Sequence, residues 1–141
     1  MPIKNYTSIV DSFTSIGEIQ SALAKAGASK IMVDYSDGEP VAVAFALETV
    51  KGVQGFCLPA PVEGTLRAFS KQRVKADKAQ AKRTAWRNVR DWIVAQCALI
   101  ESCDVPADQV FLPYLADSSG RTLYDAYRSG QLLLEGSEAR T

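Results

Sequence analysis

Read for its hydrophobic pattern, the chain divides into a helix, three strands, and a second run of helices. In the first ten residues Ile3, Asn5, Thr7 and Ile9 alternate with Lys4, Tyr6, Ser8 and Val10, which reads as a short strand without a clean apolar face. Ser15 followed by Glu18 has the spacing of a capping box, in which hydroxyl and carboxylate each take up a free amide. The stripe Ile16, Ile19, Ala22, Leu23 and Ala26 then predicts a helix over 15–26, stopped by Gly27. Three alternating runs follow, at 30–35, 41–48 and 53–58. Asp37-Gly38 and Lys51-Gly52 separate them, and these are turn signals of an antiparallel meander.

Pro59-Ala60-Pro61 ends the strands. Pro61 suits a first helical position, Glu63 a first turn, and Val62, Leu66 and Phe69 an apolar side, giving a helix over 61–72. A break at 74–77 leads to Asp77 as the cap of the next helix. Residues 78–102 contain no proline or glycine and predict the longest helix. At 100° per residue, Ala85, Val89, Trp92, Ile93, Leu99, Ile100 and Cys103 share one arc, with Trp86 at its edge. Trp92 is assigned to the core. The run Val110 to Leu115 reads as a buried extended segment or a short helix clamped on the core. Residues 122–127 read as a final short helix ending before Gly130, with Tyr124 and Tyr127 docked on the body, and 135–141 as a frayed tail. The sum is one α+β domain over 1–141. A three- or four-stranded antiparallel sheet is packed on one side by helices, with one long helix after the sheet.

Charge changes this picture. Residues 67–90 carry nine basic side chains and one acid, Asp77, whereas the other 117 residues carry 7 basic and 15 acidic ones. A net charge of zero thus hides +8 on one segment and −8 on the rest. Arg83, Arg87 and Arg90 fall into a stripe beside the apolar arc of the long helix. Such a field calls for an anionic partner, and arginine forks suit phosphate. The candidate phosphate ligands are Lys71, Arg73, Lys78, Lys82, Arg83, Arg87 and Arg90. Trp86 and Phe69 are the candidates to stack on bases, and Asn88 is a hydrogen-bonding candidate. The plainer reading is a solvated helix face, with Arg87 paired to Asp91 and the Arg90 stem on the core edge.

Other chemistry finds little support. The chain has no histidine, which removes histidine acid–base catalysis and most zinc sites. Cys57, Cys97 and Cys103 lack the spacing of a metal or disulfide framework and are expected as free, mostly buried thiols. Asp34, Asp37 and Glu39 surround a tight turn, where acids bond their own backbone. Asp34 with Lys30, or Glu63 with Arg67, would be the places to look for an enzyme, but no spacing selects them. No enzymatic activity, cofactor or metal is expected. No apolar run approaches the roughly 20 residues of a membrane span, and the first six residues lack the apolar centre of a signal peptide, so a cytoplasmic protein is expected.

At Lys4-Asn5-Tyr6-Thr7-Ser8, at residues 83–92 (RTAWRNVRDW) and at Phe111-Leu112-Pro113-Tyr114, the chain resembles a group of small phage and prophage proteins. The resemblance covers most of the chain and brings no catalytic residues. It implies an accessory role in a bacterial cytoplasm, either handling phage DNA or blocking a host defence by binding a component or a signalling nucleotide. The order helix, three strands, long helix is also similar to the core of single-strand annealing proteins, a likeness of architecture alone. The expected function is non-enzymatic binding of single-stranded DNA or RNA. The rival is a counter-defence protein that docks on a host protein or sequesters a nucleotide. The broad apolar arc of the long helix adds an expected homo-oligomer.

Overall fold

The meander forms as its turns dictate. The computed structural model describes residues 2–131, so the expected tail at 135–141 lies outside the described residues. Strands β1 (Lys30–Ser36), β2 (Glu39–Thr49) and β3 (Gly52–Pro59) make an antiparallel sheet in the order β1-β2-β3. Asp37 and Gly38 both take positive φ, 52° and 78°, as a tight two-residue hairpin turn requires. Phe45 lies opposite Phe56, and Val43 opposite both Val33 and Leu58. That register puts Val43, Phe45, Leu47, Phe56 and Leu58 on one buried face.

Helices cover that face. Helix α1 (Ser12–Lys25) contributes Ile16, Ile19 and Leu23, and α3 (Lys78–Ser102) contributes Ala85, Trp86, Val89, Ile93 and Cys97. Helix α2 (Val62–Lys71) lies against α3 through Thr65 and Phe69. A short helix, α4 (Ala107–Phe111), runs into a 3-10 turn, Leu112–Tyr114, and sends Phe111 into the aromatic centre. Phe111 meets Phe45 edge-on at 5.1 Å and Trp92 at 5.7 Å. Leu115 then bridges to Phe56, and the Ala116 amide donates to the Gly55 carbonyl, so the outer edge of β3 is partly covered. The last described helix, α5 (Leu123–Arg128), opens with a complete Thr122–Asp125 capping box. No helix among the described residues is long and apolar enough to cross a membrane. The α+β class, the three-stranded meander and the long helix after it are as the sequence predicts.

Four details differ from expectation. Residues 3–8 form turns rather than a strand, with Asn5 at φ 65°. Helix α1 begins three residues earlier than predicted. Ser15 is buried and caps nothing, and Glu18 reaches across to α3, because a tertiary pairing with two arginines outbids the local cap. The two tryptophans exchange roles. Trp86 is fully buried, whereas Trp92 is 37% exposed and rests edge-on against Phe111 and Tyr114. Helices α1 and α2 flank α3, so its buried sector extends to Ala81 and Thr84 and takes in Trp86. Finally, Tyr124 and Tyr127 face outward, since α5 turns its partly covered side, Leu123 and Ala126, toward the body.

Candidate nucleic-acid interface

The basic segment does not behave as one surface. Two members of its arginine stripe face α1, where Glu18 receives both Arg87 (Nη1–Oε2 3.2 Å) and Arg90 (Nε–Oε1 2.9 Å). Arg90 also donates to Asp91 at 3.1 Å. The Glu18 carboxyl is held below its ordinary range, first by the hydrogen bond from Arg87. These guanidinium groups fasten α1 to α3 and are half-buried in doing so. Arg87 pairs with Glu18 rather than with the expected Asp91. Lys78 pairs with Glu63 on α2 at 3.2 Å, and Lys82 pairs with Glu39 at the start of β2. Four of the seven phosphate ligands expected from sequence therefore already have carboxylate partners.

The stacking candidates are also withdrawn. Trp86 is 0% and Phe69 1% exposed, so neither offers a ring face to a base. Both fall on the core side of their helices, where apolar area is worth most when covered. Asn88 is engaged as well, since its side-chain amide donates to the Lys4 carbonyl and its oxygen accepts from Asn5.

That pairing exposes a feature the sequence reading missed. Gln80, Thr84, Asn88 and Asp91 form a polar column along α3, and residues 3–8 lie along it as a strap. Gln80 donates to the carbonyls of Tyr6 and Ser8, Thr84 to that of Asn5 at 2.9 Å, and Gln72 accepts from the Ile3 amide at 2.7 Å. Asp91 accepts from Lys4 and Asn5. Burial pushes the Asp91 carboxyl up, but the hydrogen bonds from Lys4, Asn5 and Arg90 outweigh it and hold the group down at about 2. The signal was present as polar residues at i, i+4, i+8 and i+11, a column that also describes an ordinary wet face. Lys4 and Asn5 bond to Asn88 and Asp91, and at the other end of residues 83–92 Phe111 and Tyr114 pack on Trp92.

What remains of the basic segment is its elbow. Arg67, Lys71, Arg73, Lys75 and Arg83 have no carboxylate within ion-pair distance among the described residues. Arg67, Lys71, Arg73 and Lys75 are exposed at the end of α2 and in the connection to α3. Arg83 donates to Gln80 and, with Lys75, Asp77 and Gln80, lines an open hollow of about 480 Å³. Tyr6, whose backbone carbonyl Gln80 holds, is an exposed aromatic on the neighbouring strap.

Arg73 occupies an unusual position. The Val74 amide donates to the Phe69 carbonyl at 2.8 Å and the Arg73 amide to Ser70 at 3.3 Å, the bond pair of a Schellman stop. Arg73 stands at the left-handed position of that stop, φ 57°, where glycine is the usual residue. A side chain there costs about 1–2 kcal/mol.

Of the acids singled out for enzyme chemistry, Glu63 pairs with Lys78 rather than with Arg67. Glu39 and Glu63 are taken by lysines, and no cluster of three potential metal ligands occurs among the described residues. Burial, reinforced by Asp34 and Asp125, pushes the Cys57 thiol up, and burial with Glu101 lifts Cys97 to about 11. Compared with protein-family models, curated proteins and solved structures, the chain finds no match.

Proposed function

We propose that this chain binds single-stranded DNA or RNA through phosphate contacts at the α2–α3 elbow, without chemistry on the ligand. The observation that carries this reading is the elbow itself: five cations without a carboxylate partner among the described residues, one of them in a strained left-handed conformation. Strain kept at a surface position is a pointer to use. Lys71, Arg73, Lys75 and Arg83 supply the charge and Arg67 extends it along α2. Tyr6 replaces Trp86 and Phe69 as the stacking group. Backbone contacts of this kind carry no base readout, so binding is insensitive to sequence and weakens steeply with salt. The resemblance to phage and prophage proteins supports a role in handling viral DNA in a bacterial host. Anisotropy of a labelled mixed-sequence oligonucleotide at rising ionic strength tests the reading. Lys71→Ala with Lys75→Ala lowers affinity at every sequence, and salt-insensitive or absent binding by the unsubstituted protein rules it out.

One observation favours a second reading, docking on a host defence protein. Leu112, Tyr124 and Tyr127 are exposed together, and with Pro113 and Leu123 they line an almost wholly apolar hollow of about 230 Å³. The nucleotide-capture version has less behind it, since Arg87 and Arg90 are both paired to Glu18. Tyr127→Arg separates the docking reading from the first: it abolishes docking and leaves oligonucleotide binding intact.

A further inference from the structure

The two edges of the sheet are not alike. Leu115 and Ala116 bond to the free edge of β3, whereas no described segment pairs with the free edge of β1. An uncovered edge offers a row of amides and carbonyls for another strand. A bulge between Asp34 and Tyr35 ends the regular part of β1, leaving Lys30 to Asp34 as the usable stretch.

Those five residues are self-complementary. Lys30, Met32 and Asp34 point to the helix-free face, opposite Ala46, Ala44 and Ala42, while Ile31 and Val33 point to the core side. Met32 is 60% exposed. If a second copy pairs antiparallel about a two-fold axis normal to the sheet, only registers that keep side chains on their own faces are allowed. Centring on Met32 sets Lys30 against Asp34 of the other copy, twice by symmetry, with Met32 on Met32 and Ile31 on Val33. Centring on Ile31 or Val33 instead sets Met32 against a charge. One register alone satisfies the charges.

We infer that the β1 edge is a homodimer interface, in which two copies join into a continuous six-stranded sheet in the Met32-centred register. The occupant is a second copy because the charge order along the edge complements itself. The shallow groove of about 410 Å³ on the helix-free face, lined by Lys30, Met32, Asp34, Ala44, Gly55 and Cys57, then gains a wall from the partner. Five residues a side make a small contact, so the dimer dissociates on dilution. This inference does not rest on the nucleic-acid reading.

The test is sedimentation equilibrium over a concentration series, with circular dichroism as the folding control. Lys30→Glu sets two acids against each other at both ends of the contact, and Asp34→Lys sets two lysines. Each alone weakens the dimer roughly tenfold or more. Mixed together the two variants restore both charge pairs, and a heterodimer of near wild-type strength forms. In a Cys103→Ser background, Met32→Cys cross-links to itself on mild oxidation, because the opposed positions lie within disulfide reach. A wild-type protein that stays monomeric at all concentrations, or a dimer indifferent to both charge variants, overturns the inference. Failure of the mixed pair to associate overturns the register.

Discussion

Replacing Arg73 by glycine separates stability from binding, because the two move in opposite directions. In the folded chain Arg73 holds φ 57° at the stop of α2. Glycine adopts that conformation without a Cβ penalty, and its extra freedom in the unfolded chain takes back part of the gain. The net stabilisation is up to about 1 kcal/mol. Binding goes the other way. For a single strand, log K falls with log salt at a slope of about −0.7 for each phosphate neutralised. The five elbow cations, unpaired among the described residues, give about −3.5, or roughly a hundredfold loss over a fourfold rise in salt, whereas nine free cations would give about −6. Arg73→Gly lowers the slope to about −2.8, and adding Lys71→Ala lowers it to about −2. Arg87→Ala with Arg90→Ala leaves the slope alone and destabilises the fold, since Glu18 loses both partners. Urea unfolding gives the first quantity and anisotropy across a salt series the second. The reasoning fails if Arg73→Gly gains stability with no change in slope, or if the Arg87 and Arg90 double variant flattens the slope as much as the elbow variants do.

Three further outcomes are expected. Asp91 titrates near 2 in the folded chain against 3.8 ordinarily, so its contribution is complete above 3.8 and lost as pH falls through about 2. Urea midpoints should therefore drop over that interval, and less so in Asp91→Asn. Trp86→Ala should cost about 3–5 kcal/mol by leaving a cavity. Trp86→Phe should cost much less, because a phenyl ring refills most of the cavity while the buried indole N–H, which has no partner among the described residues, is removed as it is in Trp86→Ala; equal losses in urea unfolding would contradict this. Native-state thiol labelling followed by mass spectrometry should modify the exposed Cys103 first and the buried Cys97 last, with modification of Cys97 ahead of Cys103 as the contrary result.

The elements of this fold announce themselves locally, and its charge partners do not. Asp37-Gly38, Lys51-Gly52 and the Asp77 cap act within four residues of themselves, so the meander and the start of the long helix follow from short-range chemistry. The arginine stripe is equally legible as a stripe. Its neutralisation by Glu18 is not, because that carboxylate lies 69 and 72 residues away along the chain. The spacing of Glu18 from Ser15 fits a capping box, an equally sound local use of the same side chain. The roles of Trp86 and Trp92 depend on which helices flank α3, which periodicity cannot report. Arg73 could be placed in the basic cluster but not in a left-handed stop, since nothing local marks a non-glycine residue for that position.

The strap has a consequence for how the molecule assembles. Its anchors on α3 lie 72 to 87 residues further along the chain, whereas the three strands close through turns of a few residues. Loop closure over so long a span is entropically slow compared with a hairpin. Residues 3–8 thus settle late, after the meander and α3 exist to receive them. In a refolding experiment their amides should gain hydrogen-exchange protection after those of β2 have already done so.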